Sequence, residues 1–470
     1  MHINSTQSEN YRGIALSSCF CKILDNIILV KNIDKLNTSE LQFGFKRNSS
    51  TNMCTMVLKE TLSYYVHNSS FTFCTFLDAT KAFDRVNYCK LFNLLIKRGI
   101  SASFLRVLIT LYTGHCVRVV WAGFASTYFT AINGVKQGGV LSPILFCIYI
   151  DDLLLKLSQC GVGCFIGTSF VGALAYADDI VLLAPSPCAM RKLLAICESY
   201  ALDYDVKFNA SKSNFIIFTP SEKRNLAPQM NTCKFSIGGN PVVRVESYVH
   251  LGHIINCHLN DSDDVLHRRN CFIRQSNNLL CFFDKFNMSV KVNLFKSFCS
   301  SIYGCELWSL TDGVTDMFCT AWRRVLRRLL NLPYTAHSYL LPLMTDTLPV
   351  FDEICRRFAK FFLSCLNSNS SLVKSVARHG VDVARYNSCV GRNVLFCCKY
   401  FNWRLSDFLG GHVSLNYTCF RKVCISKFSS SELNIANSLY EALLVNNGDL
   451  FIDNFNRDEV DSIIVAMSTI

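Results

Sequence analysis

The feature that most constrains this fold is a pair of adjacent aspartates between two short apolar runs. Asp178 and Asp179 separate the runs in the stretch VGALAYADDIVLLAP, which covers residues 171–185. Both runs have the length and composition of buried strands. Burying an unpaired carboxylate is costly, so two acids at a tight turn between buried strands favour a bound cation. The pattern predicts a β-hairpin with a metal site at its turn.

Another apolar strand that ends in an aspartate lies earlier in the chain. Residues 71–77 are rich in aromatic and β-branched residues and precede Asp78, which lies 100 residues before Asp178. If the two strands are neighbours in a sheet, the three carboxylates converge at one edge. Hard oxygen ligands of this kind suit Mg²⁺ or Mn²⁺ better than zinc. Two such ions, about 4 Å apart, can activate a 3′-hydroxyl and stabilise a leaving pyrophosphate.

The chain contains a further Tyr-x-Asp-Asp stretch at residues 149–152. Ser142 is a good helix N-cap and Pro143 a good first helical residue. No helix breaker follows until residues 158–161. Asp151 and Asp152 are therefore predicted to lie late in a helix, where they face solvent or cap a neighbouring element.

Strands and helices alternate up to about residue 220. Residues 11–36 predict a short strand followed by a helix, and residues 49–51 contain capping candidates for the next helix. A helix is predicted from about Lys81 to Gly99, and alternating apolar residues at 116–132 predict a hairpin. The pattern indicates an α+β domain with helices packed on one side of a sheet.

From about Asp261 onward the periodicity is mostly helical, and residues 321–333 are the clearest case. One face of this helix is apolar and the other carries Arg323, Arg324, Arg327 and Arg328. The basic face is either a solvated surface or a surface for a phosphate backbone. Lys46 and Arg47 leave the same alternatives open, because they precede a predicted helix N-terminus, where backbone N–H groups favour anions.

Length and composition set wider limits. A chain of 470 residues predicts two to four domains. The excess of 47 Lys and Arg over 35 Asp and Glu gives a net charge of +12, which suits a polyanionic partner. Mean hydropathy is +0.24, yet every long apolar run is interrupted well short of the roughly 18 residues that a membrane span needs. With no signal peptide at the start, we expect a soluble intracellular chain.

The 25 cysteines do not form a recognisable framework. In a reducing compartment we expect free thiols rather than disulfides. None of the cysteine and histidine spacings gives C-x₂-C with a matching second pair, so no zinc site is predicted. No Ser-His-Asp order is compelling and no P-loop occurs.

Five stretches, in order, resemble the polymerase motifs of non-LTR (LINE-type) retrotransposon reverse transcriptases. They are FLDATKAFDRV (76–86), GVKQGGVLSPILF (134–146), YADDIVLLA (176–184), KFNASKSNFIIF (207–218) and HLGHII (250–255). Upstream, NYRGIALSS and LQFGFKRNSST resemble finger motifs of the same family. The match runs from about residue 10 to residue 345, and so many motifs in order make coincidence very improbable.

The resemblance implies an α+β right-hand polymerase fold. Partial fingers would occupy residues 1–70, and a palm with an antiparallel sheet and helices would occupy residues 71–260. A helical thumb would follow at 261–345, and then a helical C-terminal region of unknown role at 346–470.

The resemblance also implies roles for individual residues. Asp78, Asp178 and Asp179 would be the metal ligands, and Lys212 would protonate the pyrophosphate or pair with its charge. The nucleotide site would contain Arg12 at the triphosphate, Phe83 as a steric gate against ribonucleotides, and Gln137 and Gly138 in the nucleotide and template pocket. Leu251 and Gly252 would form the primer grip, although the usual Y-L-G order is altered because His250 precedes Leu251 and Tyr248 is displaced. The arginine face would lie in the thumb.

The implied activity is RNA-directed DNA polymerisation, which extends a DNA 3′ end on an RNA template with dNTPs and two Mg²⁺ or Mn²⁺ ions. In this family the primer is nicked target DNA. Because the sequence shows neither an endonuclease nor the first finger strands, we expect the nick to be made elsewhere. The chain would be part of a longer element protein or a truncated copy, acting in a nuclear or cytoplasmic ribonucleoprotein without a membrane.

Two alternatives remain open from the sequence. One is a truncated, non-catalytic nucleic-acid-binding remnant of such a polymerase, and the other is a polymerase of the group II intron or telomerase kind. For the leading hypothesis, we expect Asp178→Asn to abolish incorporation, whereas Asp151→Asn and Asp152→Asn leave it largely intact.

Overall fold

The computed structural model describes residues 11, 13–114, 116–226, 232–283, 285–383, 386–426, 428–430, 432–435 and 437–438. The chain divides into two compact units. The first unit comprises Met1–Leu251 and Ser368–Val376, and the second comprises Gly252–Asn367 and Ala377–Ile470. Both Tyr-x-Asp-Asp stretches therefore belong to the first unit.

Most helices of the first unit begin at a capping serine or asparagine, whereas the helix that starts at Ser142 has Leu141 as its N-cap. The helices of this unit are α1 (Cys19–Lys31), α2 (Thr51–His67), α3 (Tyr88–Lys97), α4 (Ala102–Tyr112), α5 (Ser142–Gln159) and α6 (Pro187–Asp203), with 3-10 helices at Phe83–Arg85 and Ser221–Leu226. Ser50 accepts the backbone N–H of Met53 at 3.2 Å, which confirms the cap predicted at residues 49–51. Residues 13–18 form no strand, so the short strand predicted ahead of α1 is wrong there. Ala15 donates its N–H to the carbonyl of Gln137, but no sheet ladder continues from that bond.

Two helix starts differ from the prediction. The helix predicted from Lys81 begins at Tyr88, because Lys81 has a φ of 47° and the side chain of Asn87 caps the helix by accepting the N–H of Lys90. Ser142 is the first residue of α5 and not its N-cap. Its buried hydroxyl lies 3.2 Å from the hydroxyl of Tyr112, so it satisfies a side chain instead of the helix end.

The strands of the first unit build one large sheet and several short hairpins. They are β1 (Thr72–Leu77), β2 (Cys116–Val117), β3 (Val120–Trp121), β4 (Phe124–Ala125), β5 (Phe129–Thr130), β6 (Phe165–Ile166), β7 (Ser169–Phe170), β8 (Ala173–Tyr176), β9 (Asp179–Ala184), β10 (Asn214–Phe218), β11 (Phe235–Ile237), β12 (Asn240–Arg244) and β13 (Ser247–His250). The six-stranded sheet has the order β11-β12-β10-β1-β9-β8, with β10 and β12 parallel and the other pairs antiparallel. Pairing of β2 with β5 and of β3 with β4 confirms the hairpin predicted at 116–132.

Strand β1 is covered on both faces, by a helix on one side and by a residue of strand β13 on the other. Every residue of β1 is buried. Because successive side chains of a strand point to opposite faces, Thr75 and Phe76 report on the two sides. The Thr75 hydroxyl contacts Met190 of α6, and the Phe76 ring stacks on Tyr248 with centroids 4.3 Å apart.

The second unit is mainly helical, as the periodicity from residue 261 predicts. After strand β14 (His253–Asn256) come α7 (Ser262–Phe283), α8 (Met288–Phe298), the 3-10 helix Cys305–Leu307, α9 (Asp316–Leu329), α10 (Leu340–Met344), α11 (Val350–Leu366), α12 (Ser371–Asp382, which begins in the first unit), α13 (Cys389–Tyr400), α14 (Leu405–Leu409) and α15 (Tyr417–Ile425). In its core the Phe272 ring stacks on Trp322, and the Trp308 indole N–H donates to the buried Asp264 at 2.8 Å. The α+β class predicted for the chain is confirmed. None of the helices in the described residues has the length and apolarity to cross a membrane.

Candidate active site

The sheet brings the three predicted metal ligands to one edge. Strands β1 and β9 are antiparallel neighbours, and their last paired residues are Leu77 and Ile180. One further step in this register sets Asp78 opposite Asp179. Asp179 also pairs with Tyr176 across the β8–β9 hairpin, so Asp178 lies in its two-residue turn. Directly opposed residues on antiparallel strands project from the same face.

These carboxylates are accessible from solvent. Asp78 and Asp178 are half-buried and Asp179 is exposed. Burial raises the pKa of the Tyr248 phenol, and the negative charges of the nearby Asp179 and Asp78 raise it further. The altered Y-L-G order gives Tyr248 no predicted role in the sequence. Its stacking on Phe76, which shares a sheet face with Asp78, brings this ring to the carboxylates.

The backbone of Asp78 is held by the segment that precedes β10. Asp78 donates its N–H to the Ser213 hydroxyl at 3.1 Å, and its carbonyl accepts the N–H of Asn209 at 2.8 Å. Lys212 is exposed in the same segment. The register of β1 and β10 does not continue past Asn214, because a turn at 210–212 intervenes and Phe208 then bridges Ala79. Lys212 lies in that turn, between the two residues that bond to the backbone of Asp78. The role of Lys212 at the pyrophosphate stays a prediction.

The segment that contains Phe83 contacts the segment that contains Gln137. The Phe83 ring stacks on Phe146 of α5 with centroids 4.5 Å apart, and the Gln137 amide donates to Asp84 at 3.2 Å. The backbone of Val135 donates to the carbonyl of Phe83 at 2.8 Å. Gly138 follows with a φ of 95° and is exposed. The structure thus joins three of the four residues predicted for the nucleotide site, whereas Arg12 lies outside the described residues.

Lys46 and Arg47 occupy different environments. The Lys46 ammonium donates to the carbonyls of Thr38 and Ser39, and burial lowers its pKa, with the charges of Asp151 and Glu40 opposing that effect. Two of its three protons are therefore engaged inside the first unit. Arg47 is exposed. Both residues border a cavity of about 610 Å³ that is also bordered by residues of α1 and α5.

Asp151 and Asp152 lie in α5, as predicted, and have separate roles. Asp151 is buried, forms an ion pair with Arg98 at 2.6 Å and accepts the backbone N–H of Ser39 at 2.7 Å. It therefore holds a neighbouring segment, the second of the two predicted alternatives. Asp152 is partly exposed, 3.5 Å from Lys156 and 3.4 Å from the Tyr204 hydroxyl.

The predicted primer grip is a tight turn. Leu251 has a φ of 48° and Gly252 a φ of 79°, so both adopt the left-handed conformation. A side chain at Gly252 would meet the Tyr303 ring at 3.2 Å, and the Gly252 carbonyl accepts from Arg268. The turn is well formed, while its contact with a primer stays a prediction.

The four arginines of α9 differ in how far they are available to bind a phosphate. Trp322, Val325, Leu326 and Leu329 are buried, which confirms the amphipathic pattern. Arg327 donates to the Ala336 carbonyl at 2.7 and 2.9 Å and to the Ser338 hydroxyl. Arg323 and Arg328 contact Thr320 and Asn277. Arg324 is exposed, so it is the member of the face best placed to reach a phosphate.

The donor chemistry of the sheet edge fits a divalent ion, but the side chains do not form a ready cage. In the part of the chain that the structure describes, no three His, Cys, Asp or Glu side chains are arranged to hold a metal ion. Mg²⁺ is commonly bound by one or two carboxylates together with substrate phosphates and water rather than by an all-protein cage. Asp78, Asp178 and Asp179 match that requirement. None of the 25 cysteines, all of which lie in the described part of the chain, is in a disulfide bond.

Comparisons with known proteins agree with the resemblance to reverse transcriptases. A family model described as reverse transcriptase (RNA-dependent DNA polymerase) matches residues 3–255, which is more than half of the chain. A probable RNA-directed DNA polymerase from transposon X-element of Drosophila melanogaster is 26% identical over 374 residues, which cover 76% of this chain and 39% of that protein. The polymerase from mobile element jockey of Drosophila funebris is 25% identical over 306 residues, 61% of this chain and 32% of the relative.

The chain spans about two fifths of the X-element protein and less of the other relatives. The R2DM Pol polyprotein of Drosophila melanogaster is 24% identical over 253 residues, 53% of this chain and 24% of its own length. Among solved structures, a telomerase from Candida tropicalis in complex with a telomeric RNA fragment covers 85% of this chain and 57% of its own, at 13% identity and a TM-score of 0.40.

Proposed function

Because the chain belongs to the reverse transcriptase family, we propose that it is an RNA-directed DNA polymerase of a non-LTR retrotransposon. It extends a DNA 3′ end on an RNA template with dNTPs. The observation that carries this proposal is the sheet edge where Asp78 faces Asp179 across β1 and β9, with Asp178 in the adjoining turn. A catalytic metal site for nucleotidyl transfer needs carboxylates that converge in this way.

Reverse transcriptases use divalent metal ions, and the three aspartates are the residues that would hold two Mg²⁺ or Mn²⁺ ions. When bound, the ions supply activation of the primer 3′-hydroxyl and neutralise charge on the leaving pyrophosphate. Lys212 is exposed in the turn between Asn209 and Ser213, which both bond to the backbone of Asp78, and it would pair with the charge of the pyrophosphate. Phe83, fixed by its stacking on Phe146, excludes a ribonucleotide 2′-hydroxyl, and Gln137 with Gly138 lines the nucleotide and template pocket.

The partners follow from charge and from family membership. A net charge of +12 favours binding to RNA and DNA. Arg47 and Arg324 are exposed cations suited to phosphate contact. The primer is a nicked DNA target, and the nick comes from an endonuclease activity supplied elsewhere. Such a complex is an intracellular ribonucleoprotein in the nucleus or the cytoplasm.

Primer extension by the purified chain tests this proposal. We expect a DNA primer annealed to RNA to be extended when dNTPs and Mg²⁺ are present, and extension to stop with EDTA. Asp78→Asn should reduce extension at least about 10³-fold, because it removes one of the charges that hold the ions. Binding of the primed RNA without any extension by the folded wild-type chain would support the non-catalytic remnant instead.

A further inference from the structure

The turn that carries Asp178 is conformationally strained. Ala177, its first residue, has a φ of 59°, which a residue with a side chain rarely adopts. The left-handed conformation is unfavourable for such a residue because its Cβ approaches the following carbonyl oxygen. Strained conformations at functional sites persist only where the surrounding structure over-determines them. Something besides the β8–β9 ladder must therefore hold this turn.

The side chain of Gln42 satisfies both backbone polar groups of Ala177. Its Oε1 accepts the Ala177 N–H at 2.8 Å, and its Nε2 donates to the Ala177 carbonyl at 3.3 Å. The same Oε1 accepts the N–H of Gly44 at 2.8 Å. Gln42 is only 1% exposed, so these bonds are shielded from water. Each polar atom of this buried carboxamide thus has a partner at the turn or beside it.

The backbone around Gln42 approaches the hairpin closely. Phe43 donates its N–H to the Ala175 carbonyl at 2.7 Å, and Ala175 donates to Leu41 at 2.9 Å. A Cβ at Gly44 would lie 2.5 Å from the backbone nitrogen of Ala177, closer than real Cβ contacts allow. Only glycine therefore fits at position 44 while the turn keeps its place.

The same segment is anchored at its other end by the first Asp pair. Asp151 accepts the N–H of Ser39 at 2.7 Å and pairs with Arg98, which also donates to the Asn37 carbonyl. The Lys46 ammonium binds the carbonyls of Thr38 and Ser39. Residues 37–46 are thus fixed to α5 and α3 on one side and to the hairpin on the other.

We infer that residues 37–46 are a brace that sets the position of the Asp178–Asp179 turn, with Gln42 as the positioning residue and Asp151 as the anchor. The inference rests on the proposed function, because it assigns Gln42 to the geometry of the predicted metal ligands. Gln42 touches no reacting atom in this assignment. It acts through Ala177, which precedes Asp178, and so keeps the carboxylates in place before a metal or nucleotide binds.

The test compares two variants that each remove one buried amide. Gln42→Met keeps the length of the side chain and removes its hydrogen bonds to the turn. Asn32→Leu is the control, since Asn32 is also buried in the first unit but its amide donates to Ile28 at 2.8 Å. For each full-length protein, hydrogen–deuterium exchange is followed at the Ala177 amide and across residues 171–185. The Mg²⁺ concentration for half-maximal primer extension is measured at a temperature where both variants are folded.

We expect the Ala177 amide to be protected in the wild type, although it lies in a turn. Gln42→Met should speed its exchange about tenfold or more and should raise the Mg²⁺ requirement, since the two hydrogen bonds to Ala177 are lost. Asn32→Leu should change neither. Rapid exchange of Ala177 in the wild type overturns the brace, even if Gln42→Met does not fold. Equal Mg²⁺ requirements for the two folded variants overturn it as well. A protected turn in a wild-type chain that extends no primer contradicts the proposed function and not the brace.

Discussion

At the scale of single residues, two similar tetrapeptides have different tasks because their backbones differ. Asp178 and Asp179 lie at a hairpin turn, whereas Asp151 and Asp152 lie inside α5. The sequence was sufficient for that distinction, since Pro143 opens a long helical pattern and two apolar runs flank the other pair. It could not show what Asp151 binds, because Arg98 and Ser39 are 53 and 112 residues away in the chain.

The contact of Gln42 was not predictable from the sequence for the same reason. It reaches Ala177 across 135 residues of chain, and a glutamine beside a Gly turn carries no local signal of that partner. Tyr248 has no role predictable from the sequence, because it does not adjoin Leu251. Only the stacking on Phe76 brings it to the carboxylates.

Asp151 is predicted to matter for stability, which makes it a poor negative control for activity. Asp151→Asn removes a nearly buried charge from Arg98, so we expect the free energy of unfolding to fall by about 2 kcal/mol. Asp152→Asn removes only a longer, solvent-exposed pair with Lys156 and should change it by less than about 0.5 kcal/mol. Urea unfolding of both variants measures the difference. Equal midpoints and slopes would show that the Arg98 pair is not a stabilising contact.

At the scale of elements, apolar periodicity predicted where helices and strands lie better than where they begin. The α9 helix and the hairpin at 116–132 are confirmed. The predicted start of α3 was wrong because residues 78–87 form a connecting segment with a short 3-10 helix. This segment carries Asp78 and Phe83, and local helix propensity does not reveal that role. The sequence was enough to assign each side chain of α9 to the apolar or the basic face, but not to identify the residues that those side chains contact.

The arginines of α9 are predicted to separate into a binding residue and a structural residue. Arg324→Gln should weaken binding to duplex RNA–DNA and reduce the slope of log affinity against log salt by about 1, because one phosphate contact is lost. Arg327→Gln should instead lower the free energy of unfolding by about 1 kcal/mol, since its bonds to Ala336 and Ser338 disappear. Salt titrations of binding and thermal unfolding of both variants distinguish these effects. Identical behaviour of the two variants in both assays would contradict the division.

At the scale of the whole molecule, the predicted metal ligands and nucleotide-site residues that the structure describes fall in one unit. The first unit contains Asp78, Phe83, Gln137 and the β8–β9 hairpin, whereas the second contains α9 with its arginines. The family and the α+β class were predictable because motifs in a common order indicate common ancestry, and related chains share their fold. The division into fingers, palm and thumb stays a prediction. Residues 1–70 share one unit with most of the predicted palm, and the unit boundary at Leu251–Gly252 falls inside the predicted palm range.

The most direct test of the central claim is primer extension by Asp178→Asn beside Asp152→Asn, at equal protein concentration and with folding checked by circular dichroism. Both changes remove one carboxylate charge from a Tyr-x-Asp-Asp stretch. We predict that Asp178→Asn extends a DNA primer on RNA at least about 10³-fold more slowly than the wild type, whereas Asp152→Asn stays within about twofold. Comparable losses in the two variants, or undiminished extension by Asp178→Asn, would contradict the assignment of the chemistry to the β8–β9 hairpin.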